Sequence, residues 1–231
     1  MYAKAELEMN NRMTKAEKFF NKIKDKKIAF IGMGVTNNDV IKLFLKKGID
    51  VTVCDCKDRD SAGGIVSELE AAGARLSLGG RYLEPIYESD IVFRAPGVYW
   101  NIPELKKARD MGVTVTSEME VFFDLCPCKL YAITGTDGKT TTTTIAAETL
   151  ARSGKTVHKG GNIGRALLPI IEEINENDAA VVELSSFQLI SMRRSPDSAA
   201  ITNIYPDHLN VHRSMEEYVG AKLNILLHQN A

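Results

Sequence analysis

From Lys27 onward, short β-branched runs alternate along the chain with segments whose apolar residues recur at helical spacing. The run KIAFI predicts a strand, and the following NNDVIKLFLKK predicts a helix with Val40, Leu43 and Phe44 on one face and Gly48 at its end. The runs IDVTVC, ARLSL and SDIVF predict further strands, and Pro103 begins another helix. This alternation is typical of βαβ units and predicts an α/β fold with a mostly parallel sheet.

A second series begins after the turn-like CPC at 126–128. The strand LYAIT leads into a glycine loop and a helix that continues to about Arg152, and the strands KTVHK, DAAVVEL and AAITNI follow. We therefore divide the chain into a charged, helical extension (1–26), a first α/β domain (27–117) and a second (118–231), with the boundary between Thr116 and Cys128. Three strands after the loop are few for a doubly wound sheet, so the second domain is expected to be incomplete.

Composition narrows the class of protein. The chain has 231 residues, 44% of them hydrophobic, which is enough to bury a core. Lys and Arg number 29 against 30 Asp and Glu, so net charge gives no reason to expect nucleic acid or an anionic membrane as a partner. The four cysteines lie in two Cys-x-Cys pairs that match no common zinc pattern, and the charged amino terminus is not a signal peptide. We expect reduced thiols and a cytoplasmic protein.

The first glycine loop lies in IAFIGMGVTNNDV. Gly32 and Gly34 come between a predicted strand and a predicted helix, and Asp55 closes the next strand about 20 residues later, as in the Rossmann dinucleotide fingerprint. Asn37 stands where the third glycine of that fingerprint is expected, so the NAD fingerprint is incomplete. On this loop alone, a nucleotide site and a tight turn without a ligand have nearly equal weight.

The second glycine loop, ITGTDGKTTTTTI, resembles a phosphate-binding loop whose two glycines are three residues apart rather than five. It follows a strand and precedes a helix, whose amino end carries partial positive charge. We expect Lys139 to reach the outer phosphates and the Thr140 hydroxyl to face Mg²⁺. Five threonines in succession disfavour an isolated helix, so we expect only Thr140 and Thr141 to face phosphate and the others to pack or bond to helix carbonyls.

Polar clusters follow the later strands of the second series. GGNIG contributes Asn162, VVELSSFQL contributes Glu183 with Ser185, Ser186 and Gln188, and TNIYPDHLNVH contributes Asp207 and His208. Ligands of open α/β sheets bind at the carboxyl ends of strands. Each residue alone also fits a cap or a turn, and His158, His212 and His228 are expected at the surface. Together, the clusters predict Mg²⁺-dependent phosphoryl transfer.

These motifs resemble the Mur ligases, the ATP-dependent amide ligases of peptidoglycan precursor synthesis. The family's shortened loop is matched by Gly135, Thr136, Asp137, Gly138, Lys139 and Thr140. The resemblance runs from about Lys27 to the last residue, and GGNIG, ELSSFQL and PDHLNVH behind GMGVT most resemble the D-glutamate-adding members. It implies a Rossmann-like first domain and a P-loop-type ATP-binding second domain.

The resemblance also implies a reaction. ATP would phosphorylate the terminal carboxylate of UDP-N-acetylmuramoyl-L-alanine, and the amine of D-glutamate would attack the acyl phosphate. Lys139, Glu183, His208 and Lys222 would be catalytic. Thr140 and Glu183 would bind one Mg²⁺, and His208 and a carbamylated Lys222 would serve a second. The role of Lys222 rests on the resemblance, since its helix pattern alone predicts a solvated face. The expected contacts with the UDP-linked substrate are Val35, Thr36, Asp55, Lys57, Pro96 and Gly97. By the same resemblance, Asn162, Ser185 and Gln188 would contact the substrate or order the metal site.

Some positions depart from the family pattern: Asn37 for a glycine, Ala95 for a serine, and Asn210 with Val211 for Asp-Arg. Family members also continue into a carboxyl-terminal domain, so we expect this chain to be a fragment that does not turn over alone. We also expect a monomer.

Two other classes remain as alternatives. An NAD-dependent dehydrogenase would leave the Gly-Lys-Thr loop, Glu183 and His208 unexplained, whereas a non-catalytic nucleotide-binding module stays open. Another Mur-type ligase or a folylpolyglutamate synthase would share the phosphate loop but not the pairing of this first domain with ELSSFQL.

Overall fold

A computed structural model describes residues 13–229. Its first sheet has five parallel strands in the order β3-β2-β1-β4-β5. The strands are β1 (Ile28–Ile31), β2 (Val51–Asp55), β3 (Arg75–Leu78), β4 (Ile91–Arg94) and β5 (Thr114–Thr116). The α/β prediction is confirmed. The hydrophobic pattern did not predict β5, which has three residues, none of them fully buried.

The helices of this half are α1 (Lys15–Ile23), α2 (Val35–Lys46), α3 (Arg59–Ala62), α4 (Gly64–Ala71) and α5 (Pro103–Asp110), with a 3₁₀ turn at Glu84–Glu88. Helix α2 follows β1 and ends before Gly48, as its apolar spacing predicts. Pro103 is the first residue of α5, where its missing N–H costs no hydrogen bond.

Helix α1 lies within the predicted charged extension, whose first twelve residues are outside the described range. Thr14 and Glu17 form a capping box: the Glu17 N–H donates to Thr14 Oγ1 at 3.1 Å, and the Thr14 N–H donates to Glu17 Oε2 at 2.7 Å. The buried face of α1 carries Phe20, whose ring meets Phe44 edge-on at 5.6 Å. Part of the extension is therefore a helix packed on the core.

The second sheet has four parallel strands in the order β7-β8-β6-β9. The strands are β6 (Lys129–Thr134), β7 (Val157–Gly161), β8 (Ala179–Glu183) and β9 (Ser198–Ile201). The helices are α6 (Glu118–Leu125), α7 (Lys139–Arg152), α8 (Ser186–Leu189) and α9 (Met215–Leu227), with a 3₁₀ turn at Leu168–Glu173. Every residue of β8 is buried, as expected for a central parallel strand.

One hydrophobic cluster joins the two sheets, since it contains Phe30 and Phe93 from the first and Leu130 and Val182 from the second. Helix α6, which the sequence reading also missed, connects them along the chain. Its Glu118 is buried and accepts the N–H groups of Leu167 and Leu168 at 3.0 and 2.9 Å. Burial raises the pKa of Glu118 to about 7. Among residues 13–229, the helices lack the length and apolar character needed to cross a bilayer.

Candidate active site

The second glycine loop occupies residues 135–138, between the end of β6 and the start of α7. Gly135 has φ 151°, and a Cβ on it would lie 1.9 Å from Thr202 Oγ1, so only glycine fits. Gly138 caps α7 in the left-handed conformation, with φ 77°. The loop therefore delivers the first turn of α7, whose N–H groups have no helical acceptor, to the carboxyl edge of the sheet.

The segment after β9 fixes the shape of this loop. The Thr136 N–H donates to Asn203 O at 3.0 Å, and the Asp137 N–H donates to Asn203 Oδ1 at 2.9 Å. The Thr202 hydroxyl donates to Asp137 O at 2.6 Å. These three bonds use two N–H groups and one carbonyl of the loop and need no ligand, so the loop is preorganised.

Two lysines lie against the loop from different helices. Lys139 Nζ donates to Thr136 O at 2.7 Å, and Lys222 Nζ donates to Gly135 O at 2.6 Å. Lys222 is only 2% exposed, although its sequence context alone suggested a solvated helix face. Burial, and then the charge of Lys139, lower the pKa of Lys222 to about 8. An anion bound here would compensate two neighbouring cations.

Glu183 lies at the buried carboxyl end of β8, where the sequence predicted a site carboxylate. The Thr140 hydroxyl donates to its Oε2 at 2.7 Å, and the Asn162 amide donates to its Oε1 at 2.8 Å. Three predicted site residues from three separate segments thus meet at one carboxylate. Thr143 is also buried, and its Oγ1 has no hydrogen-bond partner within residues 13–229, so this threonine packs rather than facing phosphate.

His208 lies on the loop after β9 and is half-exposed. Its φ of 54° is unusual for a residue other than glycine, and its ring centre lies 5.0 Å from that of Phe187. Its Nε2 is 3.4 Å from Asp207 Oδ2. Over residues 13–229, no three His, Cys, Asp or Glu side chains are arranged to hold a metal ion. The structure therefore does not join His208 and Glu183 in such a set.

Ser185 and Gln188 bond mainly to each other. The Ser185 N–H donates to Gln188 Oε1 at 3.0 Å, and the Gln188 N–H donates to Ser185 Oγ at 3.3 Å, which makes a capping box for α8. This box fixes the direction of the chain immediately after Glu183. Their expected substrate contacts stay predictions.

His212 is buried, so its expected surface position was wrong. Its ring stacks on Phe187 at 5.1 Å, and its Nε2 lies 2.9 Å from Ser186 Oγ. Burial lowers the pKa of His212. His158 is also largely buried and pairs with Asp178 at 2.9 Å. In the sequence, His212 comes only four residues after His208, and this short spacing indicates that both histidines belong to one loop.

In the first half, Asp55 ties the glycine loop to the end of β2. Its Oδ2 accepts the Met33 N–H at 2.8 Å, and its Oδ1 accepts the Lys57 N–H at 3.0 Å. The Asn37 amide donates to Ile31 O at 3.1 Å and to Gly32 O at 2.9 Å. Asn37 therefore stabilises the turn by hydrogen bonds. Thr36 and Pro96 are half-buried, Lys57 and Gly97 are exposed, and Val35 begins α2.

Arg94, at the end of β4, links the two halves and had no signal in the sequence. It is buried, and its guanidinium donates to Val98 O at 2.7 Å in the first half and to Phe187 O at 2.9 Å in the second. Burial lowers its pKa to about 10. A second link is the hydrogen bond from the Tyr99 hydroxyl to Glu217. The loop after β4 is thereby held beside α8.

Two family models match the chain. The model described as Mur ligase MurD-like, N-terminal domain, matches residues 26–117, and the Mur ligase middle domain matches residues 133–231. The chain belongs to the Mur ligase family. Both glycine loops of this Mur ligase chain, Glu183 and His208 lie within the matched ranges.

Curated relatives agree with this assignment. A protein from Acetivibrio thermocellus named UDP-N-acetylmuramoylalanine--D-glutamate ligase is 46% identical over 218 residues, 94% of this chain and 47% of the relative. One of the same name from Ruminiclostridium cellulolyticum is 44% identical over 96% of this chain and 47% of its own length. The chain spans about half the length of the curated relatives that it matches.

Solved structures confirm the fold. UDP-N-acetylmuramate:L-alanyl-gamma-D-glutamyl-meso-diaminopimelate ligase from Neisseria meningitides has a TM-score of 0.56 at 17% identity, over 89% of this Mur ligase chain and 69% of that protein. UDP-N-acetylmuramate-alanine ligase from Thermotoga maritima has a TM-score of 0.50 at 25% identity, over 87% and 46%.

Proposed function

We propose that this chain forms the ATP- and UDP-sugar-binding part of a ligase that adds D-glutamate to UDP-N-acetylmuramoyl-L-alanine. The convergence of Thr140, Asn162 and Glu183 beside a preorganised phosphate loop supports the phosphoryl-transfer half of this proposal most directly. The names of the curated relatives support the choice of substrates.

ATP is expected to bind with its phosphates against the first turn of α7. The unpartnered N–H groups of that turn and the ammonium of Lys139 would hold the phosphate oxygens, because both present positive charge at the same edge. The Lys139 ammonium now bonds to Thr136 O and would exchange this neutral acceptor for an anionic one. Gly135, Asp137 and Gly138 shape the cradle, and Thr141 lies on the first turn.

The oxygens of Thr140 and Glu183 suit Mg²⁺, which prefers hard oxygen ligands. A bound Mg²⁺ would neutralise charge on the transferred phosphoryl group. Asn162 keeps the Glu183 carboxylate oriented toward Thr140. His208 and a carbamylated Lys222 are proposed for a second Mg²⁺. The low pKa of Lys222 supports carbamylation, since only a neutral amine attacks carbon dioxide.

The proposed chemistry has two displacements. An oxygen of the substrate carboxylate attacks the γ-phosphorus of ATP, and ADP leaves with the electrons of the broken bond. The amine of D-glutamate then attacks the acyl carbon, forms the amide and releases phosphate after losing a proton. The first domain would hold the UDP group through Val35, Thr36, Asp55, Lys57, Pro96 and Gly97. Because both nucleotides are cytoplasmic metabolites, we place the reaction in the cytoplasm.

The test is phosphate release from ATP in the presence of Mg²⁺, UDP-N-acetylmuramoyl-L-alanine and one of several amino acids. It is run on this chain and on a version extended to the length of the relatives. The expected result is D-glutamate-dependent release by the extended protein. Release with another amino acid instead would indicate a different Mur-type ligase, and no release from a folded, nucleotide-binding protein would contradict the proposal.

A pair of lysine variants controls this assay. Lys139→Met removes the proposed phosphate contact, whereas Lys155→Met changes a lysine that bonds Asn177 O at the opposite edge of the sheet. We expect Lys139→Met to abolish release and Lys155→Met to retain it. Equal activity of the two variants would remove Lys139 from the mechanism.

A further inference from the structure

Two cysteine pairs share the same one-residue spacing but differ in geometry. All four cysteines are free thiols. Cys126 and Cys128 are both buried, and their Sγ atoms lie 3.6 Å apart. Cys54 is buried whereas Cys56 is exposed, and no hydrogen-bonding contact joins these two sulfurs in the described part of the chain. The second pair alone has two thiols in contact.

The contact makes the two thiols chemically unequal. Hydrogen bonding from the Cys126 thiol lowers the pKa of Cys128 and raises the pKa of Cys126. Because the thiolate is the nucleophilic form of cysteine, Cys128 is the more reactive member. The Cys126 sulfur is in contact with the Cys128 sulfur, and a resolving thiol must lie this close to the attacking one.

Both thiols border open space on the side of the second sheet away from the phosphate loop. They line a cavity of about 1170 Å³, whose walls also carry Lys15, Arg193 and Arg194. Asp124, Glu176 and Asp197 lie on the same walls, so the charge around the cavity is mixed, and the hydrogen bond from Cys126 is what favours the Cys128 thiolate. A small oxidant can enter a cavity of this size.

We propose that Cys126 and Cys128 form a peroxide-reactive modification site, with Cys128 as the attacking thiolate and Cys126 as the resolving thiol. This inference is independent of the proposed ligase reaction. The Cys128 sulfur attacks one peroxide oxygen, the O–O bond breaks, and hydroxide leaves as water after taking a proton. The Cys126 sulfur, once deprotonated, attacks the resulting sulfenic acid and displaces a second hydroxide, which also becomes water. Two thiols are oxidised to one disulfide, and the peroxide is reduced to two waters.

The position of this bond gives it a structural consequence. Cys126 is the C-cap of α6, and β6 begins directly after Cys128. The segment is the covalent connection between the two sheets. The disulfide would therefore close a small ring in the connection that leads into β6 and the phosphate loop.

The experiment compares the two pairs within one protein. The unmodified chain is treated with hydrogen peroxide at neutral pH, catalase removes the excess, and remaining thiols are alkylated in denaturant. Trypsin places Cys54 and Cys56 in the peptide 48–57 and Cys126 and Cys128 in the peptide 110–129. We expect peptide 110–129 to lose two hydrogen atoms several-fold faster than 48–57 and to recover both thiols after reduction.

Two variants separate the roles of the two sulfurs. In Cys126→Ser, Cys128 should accumulate sulfenic acid that dimedone traps, whereas in Cys128→Ser the remaining Cys126 should react several-fold more slowly. Circular dichroism checks that each variant is folded. Equal oxidation of the two peptides in the unmodified chain, full alkylation of 110–129 after peroxide, or faster reaction of Cys126 than Cys128 would overturn the proposal.

Discussion

The two glycine loops occupy the same place in their respective sheets but are stabilised differently. The first, between β1 and α2, is held by its own Asn37, which donates to Ile31 O and Gly32 O, and by Asp55 at the end of β2, which accepts the Met33 N–H. The second, between β6 and α7, is held by the segment after β9 and by two lysines. A side chain within the turn thus stabilises the first loop where the fingerprint has a glycine, whereas the second loop relies chiefly on contacts from the segment after β9.

Steric demand differs most strongly between Gly135 of the second loop and Gly34 of the first. Gly32 of the first loop is also confined, with φ 94° and a Cβ that would lie 3.0 Å from Ala95 Cβ. A Cβ on Gly135 would lie 1.9 Å from Thr202 Oγ1, whereas a Cβ on Gly34 would meet nothing within 4 Å. We expect Gly135→Ala to destabilise the protein by about 2–4 kcal/mol and to abolish Mg·ADP binding. Gly34→Ala is the matched control and should change stability by less than about 1 kcal/mol. Denaturant unfolding and calorimetry measure both. Similar losses in the two variants would erase the distinction.

Charge is the second difference. We expect Lys139→Met to weaken Mg·ADP binding by about 2 kcal/mol, because a charge-assisted contact to phosphate is lost. Stability should change little, since the lysine gives up one hydrogen bond to Thr136 O. Calorimetric titration with Mg·ADP gives the change, and UDP titration of the same variant should be unaffected. Undiminished ADP affinity would show that the loop does not hold phosphate through this residue.

The third difference concerns Asn37. The variant Asn37→Gly restores the missing glycine of the dinucleotide fingerprint but removes two hydrogen bonds to buried carbonyls. We expect a loss of about 1–2 kcal/mol in the free energy of unfolding and no NAD binding. Chemical denaturation and an NAD titration test this. A more stable variant, or one that binds NAD, would mean that the departure at Asn37 is incidental.

The smallest effect is a pH dependence confined to the second loop. The folded-state pKa of Lys222 is lowered to about 8, so the unfolded chain binds more protons between that pH and the normal lysine pKa. The stability penalty is present below pH 8 and is relieved as the pH rises. We expect unfolding free energy to gain about 1 kcal/mol from this group between pH 7 and 9. Denaturant unfolding at several pH values measures this, and the Lys222→Met variant should lack the gain. If the variant and the unmodified chain had the same pH profile, the lysine would lie in solvent.

Much of this arrangement could be predicted from sequence, because the strands are apolar β-branched runs and the loop motifs are local. The family resemblance made Lys222 a site residue, whereas its helix pattern alone fitted a solvated face, yet Tyr218, Ala221 and Ile225 around it form the buried stripe of α9. That spacing was a usable signal. Arg94 had none, since its partners Phe187 and Ser191 lie almost a hundred residues away in the chain. Tertiary contacts, rather than local pattern, determine its burial.

Local pattern also fails for short elements. Strand β5 has three residues with Val115 as its only apolar position, and α6 carries Val121, Phe122 and Phe123 in succession, a run that does not show helical spacing. The site residues also divide into those whose positions follow from the sequence pattern and those whose positions do not. Thr140, Asn162 and Glu183 are brought together by strand order, which the sequence implies, whereas the partners of His208 and His212 depend on how one loop folds against Phe187.

The central claim is that the two loops serve two different nucleotides at once. The direct measurement is calorimetric titration of Mg·ADP into this chain, first alone and then after saturation with UDP. We expect one Mg·ADP per chain with the same affinity in both titrations, and UDP binding that survives Gly135→Ala. Competition between the two nucleotides for one site, or Mg·ADP binding that persists unchanged in Gly135→Ala, would contradict the claim.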